Sequence, residues 1–197
     1  MSSQQTKQLQ AHKDARTEAF LRAAAETFCK RGLRQTTMDH VAAAAGVSKV
    51  VLYRYFVNKS QLVHAVLEQA ADRLIELHLD EEVWWGTHLR RSLEASHKDQ
   101  AAMILLLRHS AHDLEFGRHF ERLNSFIVTQ THDRLVRHMG PMVKRGSDEM
   151  FLARTITTFI IENFIRWLEC GDPDLDREFG TWLRRSVNDI ANRWAER

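Results

Sequence analysis

Residues 46–62 read GVSKVVLYRYFVNKSQL, and this stretch decides the fold. Gly46 follows an alanine-rich segment, at a place where a glycine can end a helix in the left-handed conformation. Ser48 belongs to the residue types that cap helix N-termini, so we expect a short helix directly after it. Asn58 is a second candidate cap, and it predicts a longer amphipathic helix over about residues 59–79.

The segment in front of this stretch also has the pattern of helices. Apolar residues recur at steps of three and four from residue 14 onward, and Gly32 ends the pattern. A second helix follows, for which Thr37 is the predicted N-cap and Ala42 and Ala45 form a small apolar face. Two short helices joined by about three residues that include a glycine form a helix-turn-helix arrangement.

Basic residues are concentrated at the N-terminal end of the chain. The 197 residues carry a formal net charge of +2. Residues 1–62 contain 10 Lys and Arg against 4 Asp and Glu, whereas residues 63–197 contain 18 against 22. A basic N-terminal third on an acidic remainder suggests that this third binds a polyanion, although chance placement of charges would give the same balance.

The pattern around the opening stretch resembles the N-terminal region of the TetR (tetracycline-repressor-like) family of transcription regulators. The match covers about residues 16–65. The residues that carry it are Phe20, Leu21, Ala24, Phe28, Gly32, Thr37, Val41, Ala42, Ala45, Gly46, Val47, Ser48, Leu52, Tyr53, Phe56, Asn58, Lys59 and Leu62. Family members often have a small residue, frequently glycine, in place of Val50 and a small or hydroxyl residue in place of Val51. The resemblance implies an all-α protein with a DNA-binding domain followed by a more variable ligand-binding domain.

The candidate DNA contacts are Thr37, Ser48, Lys49, Val50, Val51, Tyr53, Arg54 and Lys59. Lys49, Val50 and Val51 lie near the N-terminus of the second helix of the motif, the end that reaches base edges in helix-turn-helix proteins. Valine methyl groups can pack on a thymine methyl, but they cannot read hydrogen-bond patterns. The resemblance implies phosphate contacts for Tyr53 and Lys59. Each of these residues taken singly could instead be an ordinary surface residue.

The rest of the chain is also predicted to be helical, and we expect nine helices in all. The expected organisation is a flexible polar arm over residues 1–13, a helix-turn-helix domain over residues 14–62, and a ligand-binding and dimerisation domain over residues 63–197. One helix of the last domain is expected over residues 99–114. The sequence shows no strand-like alternation, internal repeat or low-complexity tract.

The C-terminal part is rich in aromatic residues and histidines. The resemblance implies that some of these side chains line a pocket for a small, largely apolar molecule, and core packing is the alternative for each apolar one. The candidate apolar lining residues are Trp84, Trp85, Met103, Leu106, Phe116, Phe120 and Phe159. The candidate polar lining residues are His109, His112, Asn124 and Glu162.

The last two predicted helices, about residues 148–169 and 173–195, carry surplus apolar surface. The first is apolar nearly all round, and such a helix must be buried on two sides. We therefore expect a homodimer in which these helices pair with their copies as a four-helix bundle, with a larger monomer core as the alternative. The candidate interface residues are Phe164, Trp167, Leu168, Trp182, Leu183, Val187 and Ile190.

Several function classes lack support in the sequence. There is no GxSxG, no HExxH and no phosphate-binding glycine loop, so we expect neither an enzyme nor a cofactor. His109 and His112 share a helical face, and His119 follows them, but no carboxylate or cysteine completes a set of ligands, so we expect no metal site.

The expected partners are a double-stranded DNA operator, a small hydrophobic effector and a second copy of the chain. Control by a protein partner instead of a small ligand is the alternative. No run approaches the roughly 20 apolar residues of a membrane span, and the polar N-terminus has no apolar core. We therefore expect a cytoplasmic protein that does not bind membranes.

Overall fold

A computed structural model describes residues 3–79, 85–139 and 147–195 of the chain. Within these residues there are nine α helices and no β strand, as predicted. The helices are α1 (Ser3–Arg31), α2 (Met38–Ala44), α3 (Lys49–Tyr53), α4 (Lys59–Glu76), α5 (Trp85–Lys98), α6 (Gln100–Ile104), α7 (Gly117–Met139), α8 (Ser147–Cys170) and α9 (Asp176–Ala195). A π-helical turn, Leu105–His109, continues α6, and a 3₁₀ turn, Pro173–Leu175, precedes α9. Among the described helices, none combines the length and apolar character that a membrane span requires.

Helix α1 is longer than the sequence suggested. It begins at Ser3, so a helix takes the place of the predicted flexible arm over residues 3–13. This segment has no proline or glycine, and its Gln, Lys, Leu and Ala residues favour helices. A side-chain hydrogen bond from Gln10 to Asp14, at 2.8 Å, spans one turn of the added part.

The helix predicted over residues 99–114 ends earlier, at His109. A turn follows it, in which the side chain of Asp113 accepts a hydrogen bond from the backbone N–H of Glu115 at 2.9 Å. Its backbone carbonyl accepts from the N–H of Gly117 at 2.8 Å. An Asp that binds nearby backbone groups in this way favours a turn over a continuing helix.

One hydrophobic core connects the N-terminal helices to the C-terminal ones. It runs from Phe20 in α1 through Leu62 and Leu67 in α4 to Leu183 in α9. The predicted domain boundary after residue 62 therefore falls inside α4, a continuous helix that is buried on both sides of that boundary. Helix α4 is thus part of both the helix-turn-helix region and the C-terminal region.

Polar contacts also tie α4 to its neighbours. Arg73 forms ion pairs with Glu18 of α1 at 2.7 Å and with the buried Asp99 at 2.8 Å. Burial raises the pKa of Asp99, and the adjacent Arg73 opposes this rise. Nearer the start of α4, Nδ1 of His64 lies 2.8 Å from Nε2 of His119 in α7. These contacts hold α4 against α1, α6 and α7 together.

Candidate nucleic-acid interface and internal cavity

Gly46 forms the turn between α2 and α3. Its φ of 67° lies in the left-handed region, which glycine adopts without strain. The backbone N–H of Val47 donates to the carbonyl of Ala42 at 3.0 Å and closes the turn. Behind the turn Val41 and Leu52 are fully buried, so α2 and α3 pack closely against each other. The turn and this packing leave one side of α3 facing solvent.

The outer side of α3 carries Val50, Tyr53 and Arg54. Val50 is 66% exposed, Tyr53 is 43% exposed, and Arg54 is also exposed. Val51, by contrast, is half-buried and packs against the core. Of the two valines that the sequence suggested for base contacts, only Val50 presents most of its side chain to solvent.

Thr37 caps α2 as predicted, through two reciprocal hydrogen bonds with His40. The backbone N–H of each residue donates to the side chain of the other, both at 3.3 Å. Ser48 occupies the N-cap position of α3, but its hydroxyl makes no capping hydrogen bond, contrary to the prediction. Its backbone carbonyl instead accepts from the N–H of Val51 at 3.0 Å, and the Ser48 side chain stays exposed.

Lys49 is held towards α2 by Asp39. Its Nζ lies 2.8 Å from Oδ2 of Asp39 and 5.9 Å from the centre of the Tyr53 ring. The hydrogen bond with Asp39 raises the pKa of Lys49 above its ordinary value. Both side chains of the ion pair are exposed, so solvent screens it. Any phosphate that approaches Lys49 must therefore compete with the Asp39 carboxylate.

Lys59 attaches the loop between α1 and α2 to the start of α4. Its Nζ donates to the backbone carbonyls of Leu33 at 3.0 Å and Arg34 at 3.2 Å. An ammonium group has three N–H donors, and these bonds use two of them. Asn58, in the preceding position, caps α4 as predicted by accepting from the backbone N–H of Gln61 at 2.8 Å.

A cavity that is partly open to solvent lies between α4, α5, α7, α8 and the π-helical turn. Its volume is about 70 Å³. Its apolar lining residues are Leu74, Leu89, Leu107, Leu123, Ile127, Ile160, Ile161 and Phe164. Since a cavity of about 150 Å³ holds benzene, the space suits a smaller molecule, or a larger one that moves the walls.

The polar part of the cavity wall consists of His78, Ser92, Gln130, Thr131 and Arg134. Nδ1 of His78 lies 2.6 Å from the backbone carbonyl of Leu74. A carbonyl only accepts, so Nδ1 carries a proton and Nε2 is an acceptor when the ring is neutral. Burial lowers the pKa of His78, and the neighbouring His88 and Arg134 lower it further. His78 is therefore neutral near pH 7.

A known family matches the helix-turn-helix region described above. The family of bacterial regulatory proteins named tetR matches residues 20–66, from the buried half of α1 to the first turns of α4. The helix-turn-helix region is therefore that of the TetR family. The HTH-type transcriptional activator FasR of Mycolicibacterium smegmatis is 44% identical over 63 residues, which are 32% of this chain and 29% of that protein. The HTH-type transcriptional regulator TtgR of Pseudomonas putida is 37% identical over 76 residues, 39% of this chain and 30% of that protein. The matched segments span less than a third of the length of these curated relatives.

Solved structures of TetR-family proteins share the fold over most of the chain. A putative TetR-family regulator from a Rhodococcus species has a TM-score of 0.68 at 24% identity, covering 90% of this chain and 99% of that one. AibR, solved in complex with isovaleryl coenzyme A and operator DNA, has a TM-score of 0.64 at 20% identity. The match covers 85% of this chain and 95% of the AibR chain. At these identities the likeness shows the fold alone.

The cavity is lined by other residues than the sequence suggested. None of the suggested residues whose side chains the structure describes is part of its wall. The buried core contains Met103, Leu106 and Phe116; half-buried positions hold Phe120, Asn124 and Phe159; and the surface carries His109, His112 and Glu162. Trp84 lies outside the described residues, and only the backbone of Trp85 is described.

The register of the helices explains this difference. The π-helical turn adds a residue to one turn and so rotates the side chains that follow. Leu107 lines the cavity and Leu106 does not, although both belong to the core. In α8 the aliphatic Ile160 and Ile161 face the cavity, and Phe159 does not line it. The sequence reasoning gave weight to aromatic residues, but the apolar wall is mostly aliphatic.

The polar lining residues of α7 were missed, although the sequence contained a signal for them. Leu123, Ile127, Gln130 and Arg134 follow one another at steps of four, three and four residues. This spacing places all four on one helical face, and the first two show that the face points inward. A glutamine and an arginine that continue an inward apolar stripe indicate a polar site inside the protein.

Three residues suggested for the dimer interface are buried within the single chain. Phe164 lines the cavity, and Leu168 and Leu183 belong to the core, so none of them has surface left for a partner. Their burial comes from packing among α6, α8 and α9 that a helical pattern does not reveal. Trp182 is 49% exposed, whereas the remaining suggested residues, Trp167, Val187 and Ile190, are half-buried.

The three histidines considered as metal ligands are not brought together. His109 and His112 are exposed, whereas His119 is buried against His64. Burial lowers the pKa of His119, and the neighbouring His64 and Arg118 lower it further. Over the described ranges, no three His, Cys, Asp or Glu side chains are placed to hold a metal ion.

Proposed function

We propose that the protein is a ligand-responsive transcriptional repressor that binds a roughly palindromic DNA operator as a dimer. A small, largely apolar effector binds the internal cavity and releases the protein from DNA. The observation that carries this proposal is the position of α4. Lys59, at its first residue, contacts the helix-turn-helix region, and Leu74, in its last turn, lines the cavity. A single helix thus contacts both proposed sites.

Val50 is the proposed base contact, because its exposed methyl groups can pack on a thymine methyl in the major groove. Tyr53 and Arg54 lie on the same outer side of α3 and contact phosphates, which position the protein without reading sequence. The third N–H of Lys59 reaches a phosphate beside them. Lys49 contributes once phosphate displaces Asp39 from its ammonium group.

Three further residues complete the proposed interface. Thr37 and Ser48 carry exposed hydroxyl-bearing side chains at the starts of α2 and α3, and these hydroxyls donate to phosphate oxygens. Val51 contributes less than Val50, because half of its side chain is already packed against the core.

A second copy of the chain covers an apolar band on α8 and α9. Phe151 is 55% exposed and Trp182 is 49% exposed. Each belongs to an aromatic pair: the Phe151 ring lies 5.4 Å from that of Trp194, and the Phe159 ring lies 6.1 Å from that of Trp182. Exposed aromatic side chains grouped in this way mark interaction sites. Pairing α8 and α9 of two chains as a four-helix bundle would bury them.

Two proteins of the same fold fit parts of this assignment, one as a DNA-binding protein with a small ligand and one as a repressor. AibR was solved with a coenzyme A thioester and operator DNA bound together, and NalD is described as the secondary repressor of a multidrug efflux pump in Pseudomonas aeruginosa. Both descriptions combine the fold with DNA or gene control, and one of them includes a small ligand.

The proposal is tested by selecting duplexes from a random DNA pool with the purified full chain. We expect two inverted half-sites whose centres are separated by about 34–36 Å or a multiple of it. Tyr53→Phe should weaken binding to all sequences alike, whereas Val50→Ala should weaken it mainly at sites with a thymine in one position. Light scattering should give twice the chain mass of 23.0 kDa, and Trp182→Ser should lower this value.

Two results would contradict the proposal. Selected sequences without dyad symmetry, or a monomeric mass at micromolar concentration, would exclude the dimeric operator complex. If operator binding is dyad-symmetric but no small molecule from cell extracts relieves it, the protein is a regulator without a small effector, and a protein partner controls it.

A further inference from the structure

The cavity wall is chemically asymmetric. Of the described residues that line the cavity, Arg134 alone carries a permanent charge, and none of them is a carboxylate. Arg134 lies one turn beyond Gln130 and Thr131 on α7, so three polar side chains continue the apolar stripe that ends at Ile127. The electrostatic environment at this part of the cavity therefore favours an anion.

Helix α5 adds a buried polar stripe. His88, Ser92 and Ser96 follow one another at steps of four residues, and all three side chains are buried. In the part of the chain that the structure describes, Nε2 of His88 and the hydroxyl oxygens of both serines have no hydrogen-bond partner. Buried polar atoms are almost always paired with protein or water. Since Ser92 lines the cavity, an occupant of the cavity can supply its missing partner.

His78 is a neighbour of polar groups on both α5 and α7. The ring of His88 stacks on that of His78, with ring centres 5.1 Å apart and an angle of 11° between them. The positive charge of Arg134 acts on the same His78 and helps to lower its pKa. Ser92 lies one helical turn from His88. His78 is thus a neighbour of both Arg134 and His88.

We propose that the effector is a small organic carboxylate with a short apolar tail, an inference that rests on the proposed function. The carboxylate accepts hydrogen bonds from the Arg134 guanidinium and the Ser92 hydroxyl, and the tail lies among Leu74, Leu123 and Ile161. An arginine fork matches the two oxygens of a carboxylate. Arg134 has other contacts within the folded chain, but its five N–H donors serve more than one acceptor.

The volume of the cavity sets the size of the tail. At about 70 Å³ it is smaller than the roughly 150 Å³ that holds benzene. A tail of roughly three or four carbons fills this space, and a longer tail must move the walls. Butyrate is therefore the first probe, and hexanoate is the second.

The test compares sodium butyrate with butyramide and butylamine, which have nearly the same shape but are neutral and cationic. Titration calorimetry on the purified full chain should show butyrate binding about 10- to 100-fold more tightly than butyramide, since hydrogen bonds to a charged group are stronger than neutral ones. The same butyrate concentrations should release the protein from its selected operator, as measured by fluorescence anisotropy. Hexanoate should bind and release as well.

Substitutions identify the positive charge that produces the preference for butyrate over butyramide. Arg134→Gln should abolish the preference for butyrate, whereas Arg134→Lys should keep part of it, because lysine retains the charge without the fork. Arg137→Gln is the matched control, since Arg137 is an exposed residue of the same helix outside the cavity wall. Ser92→Ala should weaken butyrate binding less than Arg134→Gln does. Circular dichroism melting establishes that each variant folds.

The outcomes separate this inference from the proposed function. Equal affinity for butyrate and butyramide in the unmodified protein, or equal effects of Arg134→Gln and Arg137→Gln, would overturn the carboxylate assignment. Operator release by a neutral or cationic molecule, but by neither carboxylate, would overturn it and leave the proposed function intact. Symmetric operator binding that no molecule relieves would exclude a small effector altogether, and the inference with it.

Discussion

The substitution Lys59→Met separates the two roles assigned to this residue, which are a structural link between α1 and α4 and a contact to a DNA phosphate. Methionine keeps an unbranched side chain but removes the ammonium group, which donates to the carbonyls of Leu33 and Arg34 at 3.0 and 3.2 Å. Hydrogen bonds that involve a charged group contribute up to about 3 kcal/mol each, and solvent reduces this for the more exposed bond to Arg34. We expect the variant to lose about 1–2 kcal/mol of unfolding free energy.

The stability loss is measured by thermal unfolding. For a chain of this length, 1 kcal/mol shifts the midpoint by about 2–4 °C, so the expected decrease is about 2–8 °C. Protein concentration must be the same for both proteins, because the midpoint of a dimer depends on it. Lys98→Met, which alters an exposed lysine of α5, is the control and should leave the midpoint nearly unchanged.

The DNA contact is measured separately, through the salt dependence of operator binding. Each phosphate neutralised by a cation contributes about 0.9 to the slope of log K against log salt, so two Lys59 side chains in a dimer contribute about 1.8. The ratio of the operator affinity of the unmodified protein to that of Lys59→Met should therefore change about 12-fold between about 50 and 200 mM salt.

Anisotropy titrations at four salt concentrations would give this slope. A decrease in stability with an unchanged slope would refute the phosphate contact and leave Lys59 as a structural link between α1 and α4. A changed slope with an unchanged midpoint would refute the structural role.

Three further substitutions test single features of the structure. Asp39→Asn should strengthen binding to all duplex sequences and steepen the salt dependence in anisotropy titrations, because it frees Lys49; unchanged affinity would place Lys49 away from DNA. His119→Gln should reduce the loss of thermal stability between about pH 7.5 and 5.5. Burial lowers the pKa of His119, so its contribution is present above the ordinary value of about 6.5 and is lost as pH falls through it; an unaltered pH profile would contradict this. Gly46→Ala should cost roughly 1–2 kcal/mol in chemical denaturation from its φ of 67° alone, since no atom lies within 4 Å of the added Cβ. Gly180→Ala, within α9, should be stabilising by comparison.

Sequence reasoning predicted the elements whose determinants are local. Gly46 ends a helix, and Thr37 and Asn58 begin one, because each residue acts on backbone groups within one turn of itself. The helix-turn-helix region could therefore be placed before any tertiary contact was known. The same reasoning failed at Ser48, whose backbone carbonyl, and not its hydroxyl, accepts a hydrogen bond from the first turn of α3.

Features that depend on distant parts of the chain were not predictable in the same way. A cavity appears only where several helices leave space between them, and its lining depends on the rotation of each helix. The sequence gives no sign that Phe164 faces this space or that Leu183 is buried within a single chain. Arg134 was the exception, since its place in the stripe of Leu123 and Ile127 could be read from spacing.

In the proposed function, the contacts of α4 allow a cavity of this size to control a distant surface. The helix has 18 residues and is therefore about 27 Å long. Arg73 ties it to Glu18 of α1, and Arg122 of α7 pairs with Asp72 on another side. These contacts join α4 to α1 and α7, and α1 carries the core against which α2 packs.

In the proposed mechanism, a ligand that pushes Leu74 outward tilts α4, which supports the helix-turn-helix region. A tilt of about 5° displaces the far end of a helix about 27 Å long by about 2 Å. In the proposed symmetric dimer both copies of α3 move, so the distance between them changes by up to about 5 Å. Because half-sites repeat at about 34–36 Å along one face of the duplex, a change of this size takes at least one α3 out of its groove.

The ligand needs to favour the displaced arrangement by only about 1–3 kcal/mol to weaken operator binding by about 5- to 150-fold. The same linkage requires operator DNA to weaken ligand binding by an equal factor.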